Sequence, residues 1–196
     1  MKNFSMLSLA LVALMASAVT LNAEEVATKT EMLKSGPQKG QSLGPFNVTK
    51  LCGAESDGVK DGQNLCYRCK NGSRPQVMVF TRSTNKKVTE LVKKLDGALA
   101  EHKDEQLRAF VNILGEDKDD VTESAKKFAA KVGAKHIPFV LPNEFENGPE
   151  DYGINAKAAV TVVMADGKGV QANHAFASAK DVNVKAIIAD LAKIVK

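Results

Sequence analysis

The chain has no tryptophan and only two tyrosines, and aromatic residues fill just 5% of its 196 positions. Nucleic-acid binding by base stacking wants exposed aromatics beside a clustered basic face. The aromatic share and a net charge of only +4 argue against that class. There are three cysteines, too few for a small domain stapled by disulfides. No stretch beyond the first residues approaches the roughly 20 apolar residues that a membrane-spanning helix needs. Glycine and proline form no low-complexity tract, and no internal repeat is visible. What remains is an ordinary composition, with 44% hydrophobic and 26% charged residues. This suffices for one packed domain and is too apolar for a disordered chain.

The start of the chain carries a targeting pattern. Lys2 precedes Met6–Met15, an uncharged apolar run of ten residues, and small-residue patterns follow at Ala16–Ala18 and Leu21–Ala23. The run is as long as a signal-peptide core and about half a bilayer span. Residues 1–23 are therefore expected to be a signal peptide cleaved after Ala23, the alternative being an uncleaved anchor. The mature chain is expected to be exported, periplasmic or secreted, without a membrane span, and to meet an oxidising compartment where close cysteines pair.

Residues 24–45 are polar, with Gly36, Pro37, Gly40, Gly44 and Pro45, and read as a loose N-terminal arm. Residues 46–76 hold all the cysteines and read as short strands and turns. From Gln76 the pattern is regular. Val77–Phe80 is a continuous apolar run suited to a strand buried on both faces. Val88, Leu91, Val92, Leu95 and Leu99 form one face of a helix. Leu107–Leu114 reads as a second strand. Asp120 and Glu123 suggest a capping box opening a helix through Val132, with Gly133 as the stop. Ile137–Leu141, Val160–Met164 and Val170–Phe176 read as strands, with a turn of helix near Tyr152 and a hairpin at Asp166-Gly167. Val184, Ile187, Ile188, Leu191 and Val195 give a closing helix capped by Asp181. The order is β-α-β-α-β followed by β-β-α, an α/β arrangement with parallel pairing through right-handed crossovers and one antiparallel hairpin.

Several phrases in this order resemble the thioredoxin-like fold in its peroxiredoxin-like branch. They are Gly40–Val48 (GQSLGPFNV), Gly72–Pro75 (GSRP) before the buried strand, Tyr152-Gly153-Ile154, then Thr161–Met164 (TVVM) and Asp166-Gly167. The resemblance implies a three-layer sandwich over 46–196 with an N-terminal loop and strand extension. It also locates departures. The family's reactive cysteine follows the first buried strand and opens the next helix. The matching place here is Arg82–Lys86, which holds no cysteine. The family's cis-proline precedes a residue matching Thr161, and its place is taken by Val160.

The Cys-x-x-Cys of this chain, Cys66-Tyr67-Arg68-Cys69, stands before the first buried strand instead. Its spacing permits a small disulfide ring or two ligands to one metal. Lys70 follows Cys69, which excludes covalent haem attachment. No acidic residue occurs from Cys66 to Thr89, while Arg68, Lys70, Arg74, Arg82, Lys86 and Lys87 do. Cations near sulfur favour thiolate, so Arg68 and Lys70 are candidate thiolate-stabilising residues. Cys66 and Cys69 are the candidate catalytic pair for thiol–disulfide exchange; the resemblance makes Cys66 the usual nucleophile. Cys52 is a candidate resolving or structural thiol, and the three single-disulfide pairings stay open. The competing reading is a non-catalytic thioredoxin-fold binding or structural module with a structural disulfide. His102, His136 and His174 lack ligand spacing, so no metal or other cofactor is expected. The expected partners are exported proteins that carry thiols or disulfides.

Overall fold

The computed structural model describes residues 33–195; the signal-peptide reading of residues 1–23 lies outside the described residues. Seven strands and four helices are joined in the order β1 (Val48–Cys52), β2 (Asn64–Leu65), α1 (Tyr67–Asn71), β3 (Gln76–Thr81), α2 (Lys86–Glu101), β4 (Arg108–Ile113), α3 (Lys118–Val132), β5 (Phe139–Pro142), β6 (Val160–Asp166), β7 (Gly169–Phe176) and α4 (Val184–Ala189). They build one sheet in the order β2-β1-β5-β4-β3-β6-β7. The β3–β4 and β4–β5 pairs are parallel and the others antiparallel.

The alternation of side chains along the central strands splits the core in two. Val77 and Val79 of β3 face one side with the buried faces of α2, α3 and α4. Met78 and Phe80 face the other, among Phe46, Tyr67, Phe110, Tyr152 and Ile154. Both crossover helices lie on the first side, because β3, β4 and β5 step across the sheet in one direction by right-handed connections. The second side is covered by α1, the N-terminal arm and the loops flanking the sheet. This is a three-layer α/β sandwich, as the strand and helix order requires.

Local signals set most boundaries, and some differ from expectation. Helix α2 opens at Asn85, whose Oδ1 accepts from Val88 N at 3.0 Å. Helix α3 starts earlier than the expected box at Asp120. Asp117 is its N-cap, with Oδ1 accepting from Asp119 N and Asp120 N at 2.9 Å each. Asp117 wins because its extended backbone aims a short carboxylate at two free N–H groups. Gly133 closes α3 in the left-handed conformation, φ 66°. The last helix is shorter than its apolar stripe. Asn183, not Asp181, caps it, and after Ala189 the chain tightens into a 3-10 turn over Asp190–Lys193. The β6–β7 loop is Gly167-Lys168, closed by the Asp166–Gly169 pair.

The arm is not loose where it is described. Ser35 is buried, its Oγ 2.6 Å from Thr161 Oγ1, and its carbonyl accepts from Asn173 Nδ2 at 2.9 Å. Gly40 N donates to Val170 O at 2.8 Å, and Val170 N to Gln41 O at 2.9 Å. Phe46 packs edge-on against Tyr152 at 4.7 Å. Ser35 and the backbone of this segment bond to β6 and β7, while Lys34, Gln38, Lys39, Gln41 and Ser42 stay exposed.

Candidate functional site

Residues 66–71 were expected as turn and strand; they form the short helix α1 instead. The cause is capping. Cys66 adopts an extended N-cap conformation, and its Sγ accepts from Cys69 N at 3.0 Å. Lys70 N then donates to Cys66 O at 2.9 Å. Gly72, at φ 62°, ends the helix, its N–H shared between Arg68 O and Cys69 O. Five residues are too few to display a helical hydrophobic period, so the pattern carried no signal.

Cys66 and Cys69 are joined in a disulfide, S–S 2.08 Å. Of the three pairings open in the sequence, this one closes the smallest ring. Cys69 is exposed and Cys66 half-buried. Cys52 is a free thiol. It packs against the helix-bearing side of the sheet, with Sγ 3.9 Å from Ala125 O of α3. Helix α1 lies on the opposite side through Tyr67, so Cys52 is not brought to the pair. Burial, and secondarily the Asp61 charge, push its thiol pKa up, against the opposing pull of Lys126 and Lys50.

The residue between the cysteines that matters most for position is Tyr67, only 3% exposed. Its ring stacks on Phe110 with centroids 5.6 Å apart. Its hydroxyl donates to Asp57 Oδ2 at 2.5 Å. Asp57 Oδ1 in turn accepts from Val59 N at 2.7 Å and from Lys50 Nζ at 2.9 Å. Lys50 is 1% exposed, and its ammonium also donates to Ala54 O at 3.1 Å and Val59 O at 2.8 Å. All three ammonium donors thus have acceptors, which is what allows a lysine to be buried charged. Burial and the Asp57 contact hold the Tyr67 hydroxyl far above its ordinary pKa, so it stays protonated as a donor. The chain Lys50–Asp57–Tyr67 anchors α1 to β1. Sequence reasoning missed it. The available signal was a lysine at an inward position of a short strand, which reads equally as a strand edge.

The predicted cations separate around α1. Arg68 lines a cavity of about 440 Å³ with Ser42, Asp166 and Lys168. Its positive charge acts on the Tyr152 hydroxyl, whose pKa burial raises. Lys70 lines a different cavity of about 800 Å³ that Arg74 also borders. Lys86 and Lys87 lie in the first turn of α2, beyond the far end of β3. Strand β3 separates the two places by about 17 Å at roughly 3.3 Å per residue.

The place where the resemblance put a reactive cysteine, between β3 and α2, is occupied by Arg82–Asn85. Arg82 N donates to Ala159 O at 3.0 Å, and its guanidinium contacts Glu146 O. No peptide bond among the described residues is cis, so Val160 does not reproduce the family's cis bond. Among the described residues, no group of three or more His, Cys, Asp or Glu side chains is gathered to hold a metal ion. His102 lies 3.4 Å from Glu105, and His174 lies 3.0 Å from Asp190.

No family model matches the chain, and no curated protein sequence matches it. Solved structures do. A Chlorobium tepidum protein bearing the name thiol:disulfide interchange protein DsbE is 18% identical, with TM-score 0.52 over 81% of this chain and 99% of that one. Mycobacterium tuberculosis AhpC is 16% identical, with TM-score 0.54 over 82% of this chain and 97% of its own. A thioredoxin-like protein from Porphyromonas gingivalis is 17% identical, with TM-score 0.53 over 81% and 94%. At these identities the likeness concerns the fold. With the sheet order and the crossovers above, the chain has a thioredoxin-like α/β fold, and its one disulfide among the described residues, Cys66–Cys69, lies at the opposite end of β3 from the start of α2.

Proposed function

We propose that this chain is an exported thiol–disulfide exchange protein whose reactive pair is Cys66 and Cys69. The observation that carries the reading is a Cys-x-x-Cys disulfide in which Cys69 is an exposed residue, held on a helix anchored to the core through Tyr67. An exchange reaction needs an accessible sulfur to attack and a leaving thiolate that is stabilised. Cys69 supplies the first. Cys66, with the Cys69 N–H directed at its Sγ, supplies the second.

The step runs as follows. A partner thiolate attacks Cys69 Sγ along the S–S axis. A partner–Cys69 bond forms, the Cys66–Cys69 bond breaks, and its electron pair leaves on Cys66 Sγ. The second thiolate of the partner then attacks its own sulfur in the mixed disulfide and releases Cys69. The partner dithiol becomes a disulfide, and the pair gains two electrons and two protons. Reversal, with Cys69 attacking and Cys66 resolving, would reduce a partner disulfide. This assigns Cys69 the role that the family resemblance gives to the first cysteine. Arg68 and Lys70, on either side of α1, would favour the thiolates.

Export rests on the leader pattern of residues 1–23, and the partners are exported proteins with thiols or disulfides. The competing reading, a binding or structural module, draws on the lack of a cysteine at the conventional position, Arg82–Asn85. The discriminating experiment measures the reduction potential of the pair and insulin reduction by wild type and Cys66→Ser. A potential above about −300 mV with turnover lost in the variant is the expected result; a lower potential with no turnover overturns the reading. N-terminal sequencing of exported material should begin at Glu24.

A further inference from the structure

The larger cavity beside α1 lies between that helix, the C-terminal end of α2 and the start of β4. Four cationic side chains border it: Lys70, Arg74, Lys103 and Arg108. None of the four is in an ion pair among the described residues. The carboxylate on the lining, Asp57, is already matched by Lys50 and by the Tyr67 hydroxyl.

The two arginines are held in position, Arg108 through a bond from Nη1 to Leu107 O at 3.0 Å. Arg74 Nη1 donates to Lys70 O at 3.1 Å, the residue next to Cys69, and Arg74 Nε donates to Gln106 Oε1 at 2.9 Å. Gln106 is a non-glycine residue in the left-handed region, φ 58°. Such a conformation persists only where its surroundings impose it. Arg108 is half-buried, and burial first, then the Arg74 charge, pull its guanidinium below its ordinary pKa. Two guanidinium groups repelling one another in a cavity lower their energy when an anion enters. The cleft also presents apolar floor at Leu99, Leu107, Ala109 and Pro138.

We propose that this cleft docks an acidic segment of the polypeptide partner whose thiols meet Cys69. The inference rests on the exchange reading for the partner's identity, but the binding it predicts needs no redox step. A peptide fits better than a nucleic acid because the cleft offers no stacking platform. Tyr67 is its one aromatic wall besides His136, and that ring is already stacked on Phe110. The apolar floor suits aliphatic side chains between the carboxylates.

The test uses fluorescence anisotropy on the full chain with the disulfide intact. The probes are a cysteine-free, dye-labelled peptide of Glu, Leu, Ser and Gly, and its counterpart with Lys in place of Glu. The acidic peptide should bind, more weakly at high salt, and the basic one should not. Arg74→Glu and Lys103→Glu, each checked by circular dichroism for folding, should weaken binding about tenfold or more. Lys185→Glu, an exposed charge reversal on α4, should leave it unchanged. Equal binding of the two peptides, equal losses in all three variants, or stronger binding of a single-stranded oligonucleotide than of the acidic peptide would overturn the proposal. Insulin turnover tests the exchange reading separately, so loss of turnover with acidic-peptide binding intact removes that reading and leaves the docking site standing.

Discussion

Replacing Lys50 by methionine removes the ammonium and keeps most of the side-chain volume. The loss is then electrostatic rather than steric. Three hydrogen bonds disappear, to Ala54 O, Asp57 Oδ1 and Val59 O, and the Asp57 carboxylate loses its counter-charge. Breaking a buried pair by removing one partner costs about 3–5 kcal/mol. Here the Asp57 side chain retains 17% exposure and two other donors, Val59 N and Tyr67 OH, so the lower end applies. The expected loss is about 3 kcal/mol, or about 6–12 °C in Tm for a domain of this size. Urea unfolding of the oxidised protein, followed by far-ultraviolet circular dichroism, measures it. A second substitution sharpens the test. Asp57→Asn in the Lys50→Met background removes the orphaned carboxylate and should recover at least about 1 kcal/mol, so the two sites should be coupled rather than additive. If Lys50→Met unfolds within about 1 kcal/mol of wild type, or if the double variant is the less stable by the full sum, the Lys50–Asp57–Tyr67 chain is not what anchors α1.

Further expectations follow from the same contacts. Tyr67→Phe keeps the ring on Phe110 but removes the bond to Asp57, and should cost about 1.5–3 kcal/mol in the same unfolding assay. Oxidised native protein should expose no rapidly alkylated thiol. Cys52 should react slowly at neutral pH and quickly in denaturant, and fast labelling of the native state would contradict its placement against α3. Gly53→Ala should be poorly tolerated. At φ 82° a Cβ would sit 2.5 Å from Ile137 O, and a loss of about 1–3 kcal/mol is expected by urea titration. Asp190 is held below the usual carboxylate range, chiefly by Lys193 and then by His174. Its depressed folded-state pKa stabilises the fold above the unfolded carboxylate pKa, and that contribution fades as pH falls through the folded value. Asp190 is partly exposed and Lys193 about half exposed, so solvent screens the pair; Asp190→Asn should flatten the acid limb only slightly, and a large change would mark a role beyond this pairing.

The parts of the fold legible in sequence were those whose signal is local. The run Val77–Phe80 reads as a doubly buried strand because any strand covered on both faces must be apolar throughout, and it is central in the sheet. The stripe from Val88 to Leu99 is the buried face of α2. The order of strands and helices carries the topology, because right-handed crossovers leave little choice. The cap of α3 shifted from Asp120 to Asp117 because several nearby carboxylates compete, and backbone geometry decides among them.

The site was legible only as a list of residues. Composition limited the chain to three cysteines, and position put all of them ahead of the first buried strand. Which two pair, and that the third packs on the opposite side of the sheet, depends on how β1 and α1 are set against the sheet. The same holds for the charges. A run without carboxylates from Cys66 to Thr89 is visible at once, yet β3 carries its second half to the far end of the sheet. The cations bordering the cleft come from α1 and the turn before β3, in the first half of that run, and from the turn after α2 and the start of β4. The buried Lys50 is the plainest case. Its acceptors lie four to nine residues ahead in a loop with no periodic pattern, and only the folded loop brings them around the ammonium. Sequence determines such a structure through local periodicity and capping. Charge burial and sulfur pairing are settled by distances across the fold, which no local period records.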